Sequence, residues 1–165
     1  MKALSPKSTR ATLHCGNLRL PCARGRSGAK AMKREGDGAT PIGTFELRKA
    51  FFRADRLRAP RTALRLKATA PADGWCDAIR DRNYNRPVPR PYPASAEAMW
   101  RADGLYDLVI VIGYNDRPRV QGRGSAIFMH VAREGFQPTE GCIALRLKDL
   151  RKLLAVAGPR TRICL

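Results

Sequence analysis

Glycine and proline interrupt this chain so often that only short regular elements fit between them. The 165 residues include 14 glycines and 12 prolines, and both residue types favour turns and end helices. Hydrophobic residues make up 44% of the chain, which is enough to bury one core of ordinary domain size. The spacing of the turns therefore favours one mainly β domain with one or two short helices over a helix bundle.

Several segments between these turns have the patterns of strands. Residues 108–112 (LVIVI) are continuously apolar and mostly β-branched, which is typical of a central strand. Residues 126–131 predict a second buried strand, and residues 10–23 predict a hairpin that turns at Gly16-Asn17. Alternating polar and apolar residues predict half-buried strands around Phe45 and Leu47, across residues 64–69, and a last strand at 161–165.

Other segments predict helices and loops. Leu147, Leu150, Leu154 and Ala157 share one helical face, and Gly158-Pro159 ends that helix. Ser95 is a candidate N-cap for a short helix that runs through Trp100. Residues 24–41 predict a long solvated basic loop, and residues 82–95, with four prolines, predict a rigid surface loop. The chain is expected to form a single domain, 1–165, in which residues 1–10 are a disordered N-terminus.

The charge balance points to an anionic partner without choosing among several. The net charge is +18, which attracts nucleic acid, anionic lipid or an acidic cell-wall polymer. No run of 18 apolar residues and no signal-peptide core is present, so we expect no transmembrane segment. The sequence then predicts a cytoplasmic protein, an unusual export route, or a start codon chosen wrongly.

The cysteines and histidines form no metal-site or disulfide pattern. The five cysteines are an odd set without a CxxC pair, whereas a structural zinc site needs paired ligands. His14 and Cys15 lie near Cys22, but no fourth ligand is in view. We therefore expect no metal and no cofactor, and most of the thiols to be small core residues.

One cysteine and one histidine do suggest chemistry. His130 stands at a strand end, twelve positions before Cys142, which follows a turn (residues 138–141) and opens the apolar segment CIAL. A thiol is mostly protonated at neutral pH, and a neighbouring imidazole can take its proton to produce a nucleophile. Gly141 leaves room for a substrate carbonyl, and the backbone N–H groups of the turn could form an oxyanion hole. The alternative is a buried cysteine beside a core histidine.

Two separated motifs resemble the L,D-transpeptidase (YkuD-type) family. His130 followed by residues 138–145 (PTEGCIAL) resembles its catalytic segment, in which a strand-end histidine precedes Ser/Thr-His-Gly-Cys and an apolar residue. Residues 38–45 (GATPIGTF) resemble the family's Thr-Pro-x-Gly-x-Phe element. A C-terminal Leu-x-x-Asp-Leu helix followed by a short strand also fits, so the resemblance spans most of residues 11–165.

The resemblance implies a β-sandwich domain that remodels bacterial peptidoglycan. Cys142 would attack the L-centre carbonyl of a tetrapeptide stem, releasing D-alanine, and an acceptor amine would resolve the thioester into a cross-link. His130 would accept the thiol proton and later return it. Thr139, Glu140 and Gly141 would support the oxyanion from the turn. The partners would be stem peptides and the anionic wall polymer. The protein would be located in the cell wall or periplasm, and it would act as a monomer.

The sequence departs from the family pattern at three points. Glu140 stands where the family has its second histidine, so that residue's role is lost or is taken by a carboxylate. Ala144 occupies a position that is commonly Asn or Arg, and the stretch between His130 and Thr139 is short. These departures leave the nucleophile and the base in place, and they are consistent with altered substrate preference.

Two other functions are compatible with the sequence, and one further pair of residues is a candidate for the site. A cysteine hydrolase that trims stems, an L,D-carboxypeptidase, would share the first half-reaction. A nucleic-acid-binding module would explain the charge, but the 7% of aromatic residues and the absence of a known binding motif argue against it. Tyr114 and Asn115 follow the central strand and are candidates to line the substrate cleft, or else form a simple turn.

Overall fold

Strands provide most of the regular structure in the computed structural model, which describes residues 1–165. There are fourteen strands, one α-helix, and a 3-10 turn at Glu134–Phe136. In chain order the elements are β1 (Lys2–Ala3), β2 (Arg10–Cys15), β3 (Leu18–Ala23), β4 (Ala29–Lys30), β5 (Thr40–Pro41), β6 (Thr44–Phe52), β7 (Arg65–Ala68), β8 (Asp73–Cys76), β9 (Arg86–Pro89), β10 (Ala96–Ala98), β11 (Leu108–Ile112), β12 (Phe128–Val131), β13 (Ile143–Leu145), α1 (Leu147–Val156) and β14 (Arg162–Cys164). The predicted mainly β class is confirmed.

Nine strands form one large sheet around the predicted central strand. Its hydrogen-bonded neighbours run in the order β1-β2-β3-β13-β12-β11-β6-β14, and β7 pairs with β6. Both edges of β11 are covered by neighbours, and all 5 of its residues are buried. β12 and β13 run parallel to each other, with His130 paired to Ala144. This parallel pair carries the two candidate catalytic residues.

The two faces of the large sheet bury different clusters, because successive residues of a strand point to opposite faces. Ile110 and Met129 belong to a 19-residue cluster that includes the apolar face of α1. Val109 and Phe128 belong to a 7-residue cluster on the other face. Cys142 packs against this second cluster, which places the candidate nucleophile on the face opposite α1.

A small sheet covers part of the second face. Its strand order is β10-β8-β9, and Trp75 of β8 packs edge-to-face on Phe128 with ring centroids 5.0 Å apart. β9 contains Pro87 and Pro89 and lies at the edge of this sheet. A proline cannot donate to a neighbouring strand, so the proline-rich segment occupies a position compatible with its chemistry.

The predicted hairpin and C-terminal helix are confirmed. β2 and β3 pair through Cys15 and Leu18, and Gly16 between them has a φ of +53°, as the first central residue of a type II′ turn requires. α1 begins at Leu147 and ends at Val156, and it buries Leu150 and Leu154 completely.

Three local expectations differ from the structure. The segment after Ser95 forms strand β10 instead of a helix, because its backbone pairs with the edge of β8. The segment 24–41 is partly buried, since it holds β4 and β5 and packs against the turn at residues 139–141, with Lys33 and Thr40 almost inaccessible. At the N-terminus, Lys2–Ala3 pairs with β2, and the terminal ammonium donates to the Cys164 carbonyl at 2.5 Å.

Candidate active site

Cys142 lies one residue before β13, beside the start of β12. Its Sγ accepts a hydrogen bond from the Phe128 N–H at 3.4 Å and donates to the Ala126 carbonyl at 3.2 Å. His130 is two residues beyond Phe128 on the same strand, so both side chains point to the same face. The parallel pairing of β12 with β13 therefore brings Cys142 and His130 to one face of the sheet, and both line the same cleft.

The His130 ring is held in one orientation by its backbone and by an aromatic neighbour. The side chain belongs to a residue that is only 7% exposed, and its Nδ1 lies 2.9 Å from the Val131 carbonyl oxygen. A carbonyl can only accept, so Nδ1 carries the proton of the neutral ring and Nε2 is left as an acceptor. The Tyr106 ring packs against the imidazole with centroids 5.5 Å apart. His130 is thus arranged to receive a proton through Nε2.

Burial keeps the thiol and the imidazole uncharged. Burial, with a smaller contribution from the nearby Glu97 carboxylate, raises the pKa of the Cys142 thiol to about 12, while the Phe128 N–H and Lys33 oppose the shift. Burial also lowers the pKa of His130 to about 4, although the bond to Val131 works in the opposite direction. At neutral pH the pair is therefore a thiol and a neutral imidazole, not a thiolate–imidazolium ion pair.

The turn before Cys142 is fixed by two threonine hydroxyls. Thr139 Oγ1 accepts from the Gly141 N–H at 3.2 Å and donates to the Cys142 carbonyl at 2.6 Å. Thr40 Oγ1, which is fully buried, accepts from the Gly25 N–H at 2.9 Å and donates to the Gly141 carbonyl at 3.0 Å. Thr40 belongs to the upstream motif, so that motif supports the nucleophile turn directly.

Gly141 is required by the close approach of two backbones. Its φ is +130°, and a Cβ at this position would lie 2.7 Å from the Ala39 carbonyl oxygen. Any side chain would clash with backbone that cannot move away cheaply, and the conformation itself favours glycine. The Gly141 N–H is already used by Thr139, whereas the Cys142 N–H has no hydrogen-bond partner and is a free donor of the turn.

The cleft has a volume of about 610 Å³ and carries charges of both signs close to the nucleophile. Glu97 of β10 accepts a hydrogen bond from the Tyr106 hydroxyl at 2.6 Å. Burial raises the pKa of the Glu97 carboxyl, although this hydrogen bond and Arg101 lower it. On the turn side of the cleft, Lys33 lies near Gly141 and is only 2% exposed. The sequence pattern gave no signal for Glu97, whereas Lys33 stood among the basic residues 24–34, which were candidates to grip an anionic substrate but were expected to form a solvated loop.

Glu140, one of the predicted site residues, points away from the nucleophile. Glu140 stands at the rim of the cleft with 76% of its side chain exposed, and both of its carboxylate oxygens bond the Arg26 Nε at 2.8 Å. It therefore faces Arg26 and solvent rather than the thiol.

Tyr114 and Asn115 do not line the cleft, contrary to the expectation. Tyr114 packs its ring edge on Phe45 and donates to the Arg123 carbonyl. Asn115, at a φ of +47°, ties residues 115–124 into a loop through bonds to the Val120 and Gly124 carbonyls. The strand β11 ends before these residues, and they fold away from the cleft as a turn.

Comparisons with known proteins agree with this geometry. A model of the L,D-transpeptidase catalytic domain family YkuD matches residues 10–164, which is nearly the whole chain. No curated protein and no solved structure matches the chain. No helix here reaches the length and hydropathy of a membrane span, and no three His, Cys, Asp or Glu side chains are grouped as metal ligands. With its β fold and the family match across residues 10–164, the chain belongs to the YkuD family of L,D-transpeptidase catalytic domains.

Proposed function

We propose that this protein is a peptidoglycan L,D-transpeptidase in which Cys142 is the nucleophile and His130 the proton acceptor and donor. The observation that carries the proposal is their common placement: the pairing of β12 with β13 brings His130 and Cys142 to one cleft, and the hydrogen bond of His130 Nδ1 to the Val131 carbonyl leaves Nε2 as the acceptor. The substrate is a tetrapeptide stem whose terminal D-alanine is the leaving group.

Acylation uses the neutral pair. As Sγ attacks the L-centre carbonyl carbon, the thiol proton passes to His130 Nε2, and the S–C bond forms while the carbonyl oxygen becomes an oxyanion. The unpartnered Cys142 N–H is available to stabilise that oxyanion. The C–N bond then breaks, His130 returns the proton to the departing nitrogen, and D-alanine leaves a thioester on Cys142.

The acceptor decides between cross-linking and hydrolysis. A neutral amine attacks the thioester carbon and His130 takes a proton from the attacking nitrogen. As the S–C bond breaks, His130 passes that proton to sulfur, which regenerates the thiol. Water in place of the amine would give an L,D-carboxypeptidase through the same intermediate. The carboxylates of Glu35, Asp77 and Glu97 border the cleft of a molecule with a net charge of +18. The cations Lys33, Arg101 and Arg133 line the same cleft, so we propose that a cationic amine approaches on the side of the carboxylates.

The proposal extends to the place of action and the partners. Peptidoglycan stems lie outside the cytoplasmic membrane, so the proposed location is the cell wall or periplasm. We propose that the protein acts there as a monomer on the anionic wall polymer.

The test follows D-alanine release from a purified tetrapeptide stem by mass spectrometry, with and without an added amine. We expect an acyl-enzyme mass adduct on Cys142 and, with the amine, a cross-linked product. Cys142→Ala should show neither, whereas Cys164→Ala, which changes an exposed thiol, should behave as the unaltered protein. Normal turnover by Cys142→Ala would overturn the mechanism, and D-alanine release without cross-linked product would establish the carboxypeptidase instead.

A further inference from the structure

Lys33 is a buried ammonium at the nucleophile's side of the cleft, and the mechanism above gives it no role. It lies in the segment between β4 and β5, and its side chain is only 2% exposed although it lines the cleft. Burying an ammonium is costly unless its charge and its hydrogen bonds are satisfied. The partners of Lys33 therefore indicate whether the residue is structural alone or is prepared for a ligand.

The hydrogen bonds of Lys33 leave one donor unused. An ammonium has three N–H donors and no acceptor. Nζ donates to Asp37 Oδ1 at 2.8 Å and to the Arg34 carbonyl at 3.2 Å, and it has no third acceptor in the protein. Nζ would lie 3.4 Å from a Cβ built on Gly141, the residue that precedes the nucleophile. The spare donor is thus beside the turn where substrate must bind.

The partner carboxylate of Lys33 is shared among other donors. Asp37 Oδ1 also accepts from the Ala39 N–H at 2.9 Å, and Oδ2 accepts from the Arg34 N–H at 3.0 Å. A second ammonium, that of Lys30, lies 3.9 Å from Oδ2. Burial alone would raise the pKa of Asp37, but the bonds from Lys33 and the two backbone N–H groups lower it. Asp37 thus forms the direct ion pair with Lys33 while it also serves two backbone N–H groups and lies near a second lysine.

The other cations of the cleft wall are placed differently. Arg101 bonds Asp103 through Nε at 3.0 Å and through a terminal nitrogen at 2.6 Å. Arg133 approaches the same Asp103 at 3.5 Å, with 52% of its side chain exposed. Both arginines lower the pKa of His130, whereas Lys33 lowers the pKa of Cys142. Lys33 is therefore the cation that lies on the side of the thiol and is shielded from solvent.

We propose that Lys33 binds the C-terminal carboxylate of the amino acid that leaves when Cys142 is acylated, so that the cleft selects stems ending one residue beyond the scissile bond. This proposal rests on the proposed function for the identity of the donor. Successive Cα atoms are about 3.8 Å apart, so a carboxylate one residue past the carbonyl under attack stays close to the Gly141-Cys142 turn. A buried ammonium with one free donor matches a carboxylate oxygen in charge and in hydrogen bonding.

The first experiment compares two donors that differ only at the C-terminus: a tetrapeptide with a free carboxylate and the same peptide as its C-terminal amide. The unaltered protein should favour the free acid in kcat/KM by roughly 10- to 100-fold, the range expected for a hydrogen bond to a charged group. Lys33→Met keeps an unbranched apolar chain of similar length and removes the charge. It should lose that factor on the acid, mainly through KM, and lose less on the amide, on which only the effect of Lys33 on the thiol is removed.

Lys30→Met is the matched control, because Lys30 approaches the same Asp37 but is 49% exposed. It should retain the preference for the acid. An equal loss on both peptides in Lys33→Met would overturn the proposal and assign the ammonium to the thiol instead. Equal rates of the unaltered protein on acid and amide would also overturn it, and this comparison needs no variant to fold.

A binding measurement separates this proposal from the proposed function. Cys142→Ala is titrated with each peptide by calorimetry, alone and combined with Lys33→Met. A preference for the acid that disappears with Lys33→Met supports the carboxylate site even if the unaltered protein releases no D-alanine, in which case only the proposed function fails. Equal affinity for both peptides overturns the carboxylate site, whatever the turnover.

Discussion

At the scale of single residues, the cleft uses ordinary side chains whose acid–base properties are set by burial. Cys142 and His130 are both neutral at rest, because their surroundings disfavour the charged form of each. Nearby charges then adjust this balance, with Glu97 disfavouring the thiolate and Lys33 favouring it. Reactivity toward a general thiol reagent should consequently be low until substrate displaces water and supplies its own contacts.

The buried imidazole predicts a pH dependence of stability. The pKa of His130 is about 4 in the folded protein and 6.5 as its reference value. Between these values the unfolded chain binds a proton that the folded chain does not, so the free energy of unfolding should fall as the pH drops from 6.5 to 4 and level off below. The loss should be at most about 3 kcal/mol. Urea unfolding across this range should show a shallower slope for His130→Gln.

His14→Gln provides the control, because His14 is exposed on β2 and its replacement should leave the slope unchanged. If His130→Gln and the unaltered protein lose stability in parallel over this range, the imidazole is not the group responsible.

A second residue-scale prediction concerns Glu97. Its negative charge raises the pKa of Cys142, so Glu97→Gln should lower that pKa and increase the fraction of thiolate at a given pH. We expect the rate of iodoacetamide alkylation at pH 8 to rise by roughly 3- to 10-fold. Peptide mapping should locate the adduct on Cys142.

Glu46→Gln serves as the comparison, since Glu46 pairs with Arg48 on β6 and does not border the cleft. An alkylation rate that is unchanged or slower in Glu97→Gln would show that the carboxylate does not act on the thiol.

At the scale of elements, the site depends on two segments that are distant in sequence. β5 supplies Thr40, and the turn before β13 supplies Gly141. The hydroxyl of Thr40 bridges the Gly25 N–H and the Gly141 carbonyl inside the protein, where neither group can turn to water. The position of the nucleophile is therefore coupled to the packing of the segment 24–41.

Thr40→Val tests this coupling, because valine keeps the shape and removes the hydroxyl. Two buried backbone groups lose their partner, at roughly 1–3 kcal/mol each, and kcat should fall by about 10- to 100-fold as the turn shifts. Thr40→Ser keeps the hydroxyl and should retain most of the stability and most of the kcat of the unaltered protein. Urea unfolding and steady-state turnover measure the two effects. Equal behaviour of the serine and valine variants would mean that the hydroxyl does not hold the turn.

At the scale of the whole molecule, the net charge and the cleft act over different ranges. The 32 lysines and arginines outnumber the 14 acidic residues over a small surface, and such a field attracts polyanions in a salt-dependent way. The chemistry of a single amide bond depends instead on the groups within the cleft. We therefore assign the charge to holding the protein on an anionic polymer, with the peptidoglycan wall as the proposed one.

Sedimentation of Cys142→Ala with isolated peptidoglycan should weaken steeply as salt rises, because the screening length shortens to roughly 8 Å at about 0.15 M. Turnover of a small stem peptide by the unaltered protein should change much less over the same series. Duplex DNA is the competing ligand in a parallel series. Tight DNA binding without wall binding or D-alanine release would favour the nucleic-acid rival.

Sequence alone was sufficient for the elements whose residues repeat locally. The apolar segment of β11, the Gly16 turn and the apolar face of α1 can each be recognised from a few neighbouring residues. The motifs around Thr40 and Cys142 likewise identified the family, because their residues are contiguous.

Tertiary structure decided what depends on long-range pairing. The segment after Ser95 became strand β10 because the edge of β8 was available to pair with it, which overrides a weak helix preference. Tyr114 and Asn115 turned away from the cleft, while Glu97 and Lys33, which belong to no local motif, were brought into it. Burial is a property of the folded chain. The sequence has 32 lysines and arginines, and only the packing of distant segments determined that Lys33 would be buried beside the thiol.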